Sequence, residues 1–248
     1  MNRIVKDKVN KVFALVVIVV VFFAVISIML KYKDEGETNM PFNLADLMVV
    51  SSADAIAKND NSENNKWNYD INQYNDIYLN VVKNNEYDKV NSYIKKITIE
   101  NIKINNPTKG TIEVYMPSTS ETRMFEYTEN LKVANSLTFN GGSSTNLKTL
   151  SIANQGGNIA FRVVNRNVSE YVSNQDDEIA YDGSLLNKTN VNMEELKFSI
   201  SFDIVIETED CKFRGNKTLN LPCENIENDG VSKITDPNCT DIIFKREN

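Results

Sequence analysis

The chain has 248 residues, 41% of them apolar, a formal charge of −7 and no histidine. Without histidine it cannot hold a Ser-His-Asp or Cys-His catalytic arrangement, an imidazole general base, or a zinc site that needs imidazole. Arg3, Lys6, Lys8, Lys11 and Asp7 are the only charges before the first apolar run, so the chain beyond residue 30 carries −10. A body this acidic lacks the electrostatic footprint of nucleic-acid binding.

Val12 to Leu30 reads VFALVVIVVVFFAVISIML, uncharged and with Ser27 as its one polar side chain. Nineteen residues at a rise of about 1.5 Å each suit a hydrocarbon layer of about 30 Å, so a transmembrane helix in a lipid bilayer is predicted over 12–30. Basic residues before the run, and acids soon after it, place the tail 1–11 in the cytoplasm and the rest of the chain outside the cell membrane. The run is longer than a signal-peptide core and no small-x-small site follows closely, which predicts an uncleaved, single-pass signal anchor. Asparagine is the commonest residue, a usage that fits an AT-rich bacterial genome.

Residues 31–66 read as a linker and first element. The stretch 31–41 is charged and broken by Pro41; Asp46 to Ala57 suits a strand or an amphipathic helix; Lys58 to Lys66 is polar loop. An extracytoplasmic β-rich domain is expected over 67–248. Trp67, Tyr69, Ile71, Ile77, Leu79 and Val81 share one parity, as on one face of a long strand. Asn85 to Tyr93 suits a short helix. Ile97 and Ile99 occupy one parity, Ile102 and Ile104 the other, and this phase change predicts a β-bulge at Glu100-Asn101.

Pro107 to Gly110 makes a turn, after which Ile112, Val114 and Met116 alternate. Asn140-Gly141-Gly142 reads as another turn. Leu147–Ala153 and Asn158–Val164, joined at Asn154-Gln155-Gly156-Gly157, read as a hairpin. Phe198 to Ile206 alternates strictly, one face dry and one wet, as in an antiparallel sheet packed on one side. Lys212–Leu221 and Asp241–Lys245 are shorter strand candidates. The expected fold is mainly β: an antiparallel two-sheet β-sandwich ectodomain behind a single N-terminal transmembrane helix, with a split into two β domains near Val191 as the alternative.

Candidate sites are few. Cys211, Cys223 and Cys239 are the only cysteines. Cys211 and Cys223 bracket CKFRGNKTLNLPC, where Gly215-Asn216 could reverse a hairpin, and a disulfide between them would contribute about 3 kcal/mol. The alternatives are free thiols or a pairing that uses Cys239. Asp176-Asp177-Glu178 with Asp182 offers oxygen ligands of the kind calcium takes, and Asp60-x-Ser62-x-Asn64 has the start of an EF-hand loop without its central glycine. Tyr69, Tyr74, Tyr78, Tyr87 and Tyr93 near Trp67 could form an aromatic platform. No catalytic, metal or cofactor site is assigned, and no cofactor is expected.

The order of a basic tip, a hydrophobic helix and a C-terminal β domain resembles that of type IV pilin-like proteins. Lys11-Val12-Phe13-Ala14 shows neither the leader glycine nor the glutamate of that family, so no membership is assigned. The sequence thus leads to a membrane-anchored, non-enzymatic binding or envelope-structural domain whose partner is an unidentified envelope protein or polysaccharide. The alternatives are a carboxylate-dependent hydrolase of envelope polysaccharide and a pilin-like surface subunit.

Overall fold

A computed structural model describes residues 3–61, 66–87, 92–105, 107–174, 183–229, 232–237, 239 and 241–247. The apolar run lies within one helix, α1 (Arg3–Glu35), long and apolar enough to cross a membrane. Eleven strands follow among the described residues: β1 (Phe42–Asn61), β2 (Lys66–Lys83), β3 (Ile94–Asn105), β4 (Thr111–Tyr115), β5 (Ser136–Gly142), β6 (Ser151–Ala153), β7 (Gly156–Asn174), β8 (Phe198–Thr208), β9 (Lys212–Leu221), β10 (Ser232–Pro237) and β11 (Lys245–Glu247). Three short helices, α2 (Ser184–Lys188), α3 (Met193–Leu196) and α4 (Ile226–Asp229), lie between them.

The strands form two sheets. The first has the order β10-β1-β2-β7-β4 and is antiparallel throughout; the second runs β11-β9-β8-β3-β5-β6, antiparallel except for the parallel β5–β6 pair. Alternation in the sequence sets their inner faces. Leu47, Val49, Ile77, Leu79, Ile159 and Phe161 of the first sheet share one core with Ile97, Ile99, Phe139, Ile200, Phe202 and Ile204 of the second. Phe161 meets Phe202 edge to face across the gap, with ring centroids 5.3 Å apart. The fold is therefore mainly β, a sandwich joined to an N-terminal apolar helix. Its main core draws on strands from both sides of Val191.

β1, β2 and β7, at 20, 18 and 19 residues, outrun the second sheet, whose longest strand has 12. Their overhang buries Ala53, Ala55, Ile71 and Val168 beneath Leu185 and Leu186 of α2, Leu196 of α3 and Ile226 of α4. A fully buried polar belt of Ser51, Gln73 and Asn75 separates the two apolar zones. The Ser51 hydroxyl donates to Asn75 Oδ1 at 2.6 Å, and Gln73 Nε2 donates to the same oxygen at 2.9 Å, which satisfies polar groups that burial would otherwise make costly.

Several expectations stand. β2 carries Trp67 to Val81 on one face, β8 and β9 cover the segments expected of them, and β3 shifts register between Glu100 and Lys103 with Asn101 at φ +53°. Of the two readings of Asp46–Ala57 the strand holds, within β1. Other expectations are corrected: Lys58–Asn61, expected in a polar loop, continues β1, and Lys66 opens β2. The 147–164 hairpin does not exist: β6 pairs with β5 in the second sheet while β7 joins β2 and β4 in the first, so the Asn154–Gly157 reversal carries the chain between layers. Asn140-Gly141-Gly142 ends β5 instead of turning, because β6 needs a partner there. The last strand begins at Lys245, where it pairs with Arg214, and β10 was not foreseen. The expected helix at 85–93 falls partly outside the described residues.

The segment 31–41 is no free linker. α1 runs to Glu35, Gly36 adopts φ +72°, and β1 starts at Phe42. Glu37 N–H donates to the Phe244 carbonyl at 2.7 Å, Arg246 N–H donates to the Tyr32 hydroxyl at 2.9 Å, and Arg246 pairs with Glu37 at 3.3 Å. A Cβ on Gly36 would lie 2.3 Å from the Phe244 carbonyl oxygen, so only glycine fits both the backbone angle and the space. Gly36→Ala should loosen this mount: in detergent, trypsin cleavage after Lys33 should accelerate severalfold while the near-ultraviolet circular dichroism of the sandwich is kept. An unchanged cleavage rate would mean that the joint is not held there.

Candidate functional site

The outer face of the first sheet carries an organised cluster of charged and aromatic side chains beside a groove. Because Ile77 and Phe161 point inward, their neighbours Asp76 and Arg162 point outward, and they sit directly opposite each other in the β2–β7 ladder. Arg162 grips Asp76 with two nitrogens, Nη2 at 2.7 Å from Oδ2 and Nε on Oδ1, and its Nη1 donates to the Tyr127 hydroxyl. The guanidinium also lies over the rings of Tyr74 and Phe125, at 4.9 and 4.7 Å. Such a bidentate, ring-stacked cation is fixed in place and remains charged at any working pH.

Residues 116–135 form a strap across this face. Met116 N–H donates to the Leu131 carbonyl at 3.0 Å, Val133 N–H to Val114 at 2.8 Å, and Ser118 N–H to Met124 at 2.6 Å. Phe125 is buried, and Tyr127 stacks on Tyr74 at 5.3 Å while meeting Tyr115 edge-on at 5.4 Å. Glu113 of β4 fastens the strap to the sheet, accepting from Lys132 Nζ at 2.8 Å, the Tyr115 hydroxyl at 2.6 Å and Arg166 at 3.1 Å. Burial alone would raise its carboxyl, but these three donors prevail and hold it at about 2.

Between the strap and β1 lies a groove of about 740 Å³. Asp54, Ile56 and Ala57 form one side, Arg123, Met124 and Phe125 the other, with Asp76, Tyr127 and Arg162 at its floor. Asp54 is half-buried and accepts from the Ala55 N–H at 2.7 Å. Burial pushes its carboxyl above the usual range, against the pull of that N–H and of the Arg123 and Arg162 charges. A second groove, of about 820 Å³, runs past Asn105, Lys197, Ser199, Asn220, Asn225 and Lys233, and presents no comparably fixed cluster.

The sites expected from sequence do not converge here. All three cysteines are free thiols. The Cys211–Cys223 bridge is ruled out by geometry: β9 is one unbroken strand of 10 residues between them, so Gly215-Asn216 reverses nothing and the thiols lie about 30 Å apart. Cys223 is buried with its thiol near the Val49 carbonyl, and burial pushes the Cys239 thiol up to about 11. Asp176-Asp177-Glu178 and Asp182 lie outside the described residues, as do Ser62 and Asn64. Among the described residues no group of three or more metal-binding side chains converges.

The aromatic platform is divided. Tyr74 and Tyr78 face outward toward the strap, whereas Tyr69 packs inward on the helix-covered core. Arg162, Tyr115, Phe125 and Tyr127 were not singled out in the sequence, although the outward parity of Tyr74, Asp76 and Tyr78 within an otherwise apolar strand marks this face.

Fold and groove together define a β-sandwich with one strapped, aromatic-lined face, joined through contacts at Gly36 and Arg246 to an apolar helix long enough to cross a membrane. Comparison with known protein families, curated proteins and solved structures gives no match.

Two outcomes test this geometry. Unfolding in denaturant with iodoacetamide and no reductant should add three alkyl groups per chain, and a peptide pair joined through Cys211 and Cys223 would contradict the strand. Glu113 is held below its unfolded value, so its contribution to stability is present above about pH 4.5 and is lost as pH falls toward about 2. The urea midpoint of Glu113→Gln should accordingly fall less than that of the parent between pH 5 and pH 2.5. Parallel acid limbs would show that the carboxylate does not fasten the strap.

Proposed function

We propose that the chain is a single-pass membrane protein of the cell envelope, with its N-terminus in the cytoplasm and its β-sandwich outside, where it binds an envelope protein or polysaccharide without transforming it. The observation that carries this reading is the state of the charges in the outer-face groove. Arg162 and Asp76 are locked to each other and to stacked rings, which makes a stiff recognition surface and leaves neither free to move a proton. Asp76 pairs near Val50 in the β1–β2 ladder, and Asp54 lies four residues further along β1, a separation of about 14 Å along the sheet. Glycoside hydrolysis uses carboxyl pairs about 5–9.5 Å apart. That mismatch favours binding over the carboxylate-dependent hydrolase.

The pilin-like alternative has less support, because α1 ends at Glu35 and the sandwich hangs from its tip instead of wrapping along it. The anchor is supported by the uncharged run in α1, and the orientation by the basic residues that precede it in the sequence.

Protease added to intact cells should remove the sandwich and leave a membrane-embedded N-terminal fragment; full protection would reverse the orientation. Release of reducing sugar from isolated wall glycans by the detergent-solubilised chain, abolished by Asp54→Asn, would replace binding with hydrolysis.

A further inference from the structure

Outside the apolar run of α1, eight large apolar or tyrosine side chains are exposed among the described residues, and four of them gather at the end of the sandwich that meets the helix. These four are Tyr32, Val82, Tyr93 and Ile243, at 39%, 38%, 38% and 42% exposure. Exposed apolar side chains scattered singly are ordinary, whereas a group of them at one end marks a contact surface.

Four separate stretches of chain bring them together. Phe42, where β1 starts, pairs with Lys83 at the end of β2, beside Val82. Val82 in turn pairs with Gly156 at the start of β7. Ile94, next to Tyr93, donates its N–H to the Asn154 carbonyl at 2.9 Å, two residues before Gly156. A Cβ on Gly36 would come 2.7 Å from the Ile243 side chain, and the Tyr32 hydroxyl accepts from the Arg246 N–H at 2.9 Å.

The helix sets how far this end can stand from a bilayer. No part of the apolar stretch of α1 is buried against the strands, so the helix projects away from the sandwich. With Val21, the middle residue of the run, at the bilayer centre, a rise of about 1.5 Å per residue puts Tyr32 about 16.5 Å and Gly36 about 22.5 Å from the midplane. The hydrocarbon ends at about 15 Å and the headgroups at about 20–22 Å, and any tilt of the helix lowers both residues. Arg246 and Phe244 are hydrogen-bonded to Tyr32 and Glu37, so this end of the sandwich shares their height.

The side chains suit that depth. Tyrosine sits well at a lipid–water boundary, its ring in the apolar layer and its hydroxyl wet. Basic and acidic residues are mixed here, Lys33, Lys83 and Lys245 with Asp34, Glu86 and Glu209, so net charge is not what draws the end to lipid.

We infer that the helix-proximal end of the sandwich is a bilayer-contact surface, on which Tyr32, Val82, Tyr93 and Ile243 enter the headgroup layer of the membrane that α1 spans. The inference rests on the membrane reading proposed above and adds a second, peripheral contact to the spanning helix. The strands then rise from the lipid, with Trp67 fifteen residues along β2 from Val82, about 50 Å of extended chain.

The test places the full chain in phosphatidylcholine nanodiscs that carry a nitroxide either on the headgroup or at mid-chain. Trp67 is the one tryptophan and serves as the distant reference in the parent. In a Trp67→Phe background, Tyr93→Trp and Ile243→Trp should each be quenched by the headgroup nitroxide at least threefold more than Trp67 is in the parent. Adding phosphatidylglycerol should leave that ratio unchanged. Phe22→Trp in the same background should be quenched by the mid-chain nitroxide. With the joint loosened by Gly36→Ala, headgroup quenching of Tyr93→Trp should persist, and it should fall at least twofold when Val82→Glu and Ile243→Glu are added, with the near-ultraviolet circular dichroism of the sandwich kept. The inference is overturned if Tyr93→Trp or Ile243→Trp is quenched no more than Trp67, or if the two glutamates change nothing, while Phe22→Trp still reports an inserted helix. Loss of the Phe22→Trp signal would instead remove the membrane reading, and this surface with it.

Discussion

Unequal strand length governs this structure. β1, β2 and β7 run 18 to 20 residues, and no strand of the opposing sheet exceeds 12. The surplus of the long sheet still alternates apolar and polar side chains, so its inner face needs cover that the second sheet cannot give. α2, α3 and α4 supply it, each only four or five residues long and none able to persist alone in water. The buried belt of Ser51, Gln73 and Asn75 sits at the seam between the two kinds of cover. Hydrogen-bonding groups there tie β1 to β2 through side chains as well as backbone.

The long sheet is also covered on its other face. The strap of residues 116–135 has almost no regular structure and is held by what it sits on: a ring stack, the Arg162 cluster and the Glu113 anchor. An arginine clamped between a carboxylate and aromatic faces provides directional attachment that greasy contact alone would lack. The strap therefore holds a defined groove, while its rim residues Arg123 and Met124 stay exposed.

Much of this fold was legible in the sequence where period two was unbroken. β8 could be read from Phe198 to Ile206, and the bulge in β3 from one change of phase between Ile99 and Ile102. Pairing was not legible. The Asn154–Gly157 turn looks local, yet it joins strands of different layers, because β6 is drawn to β5 and β7 to β2. Alternation tells which face a residue takes and nothing about which strand lies beside it. Cys211 and Cys223 misled for the same reason, since Gly215 sits inside a straight strand where Phe244 and Ile242 crowd it. The outer-face site was hidden because Arg162 and Tyr127 lie 35 positions apart and meet only once the strap folds back.

The fastened joint at Gly36 has a geometric consequence. A sandwich on a slack tether would sample all heights and headings above a bilayer, whereas one bolted to its helix stands at a fixed elevation. β1 leaves that joint at Phe42, and Ala55 lies thirteen residues along it, about 43 Å of extended chain. Were α1 seated in lipid, a joint fastened in this way would set how far the strapped groove stands from the bilayer.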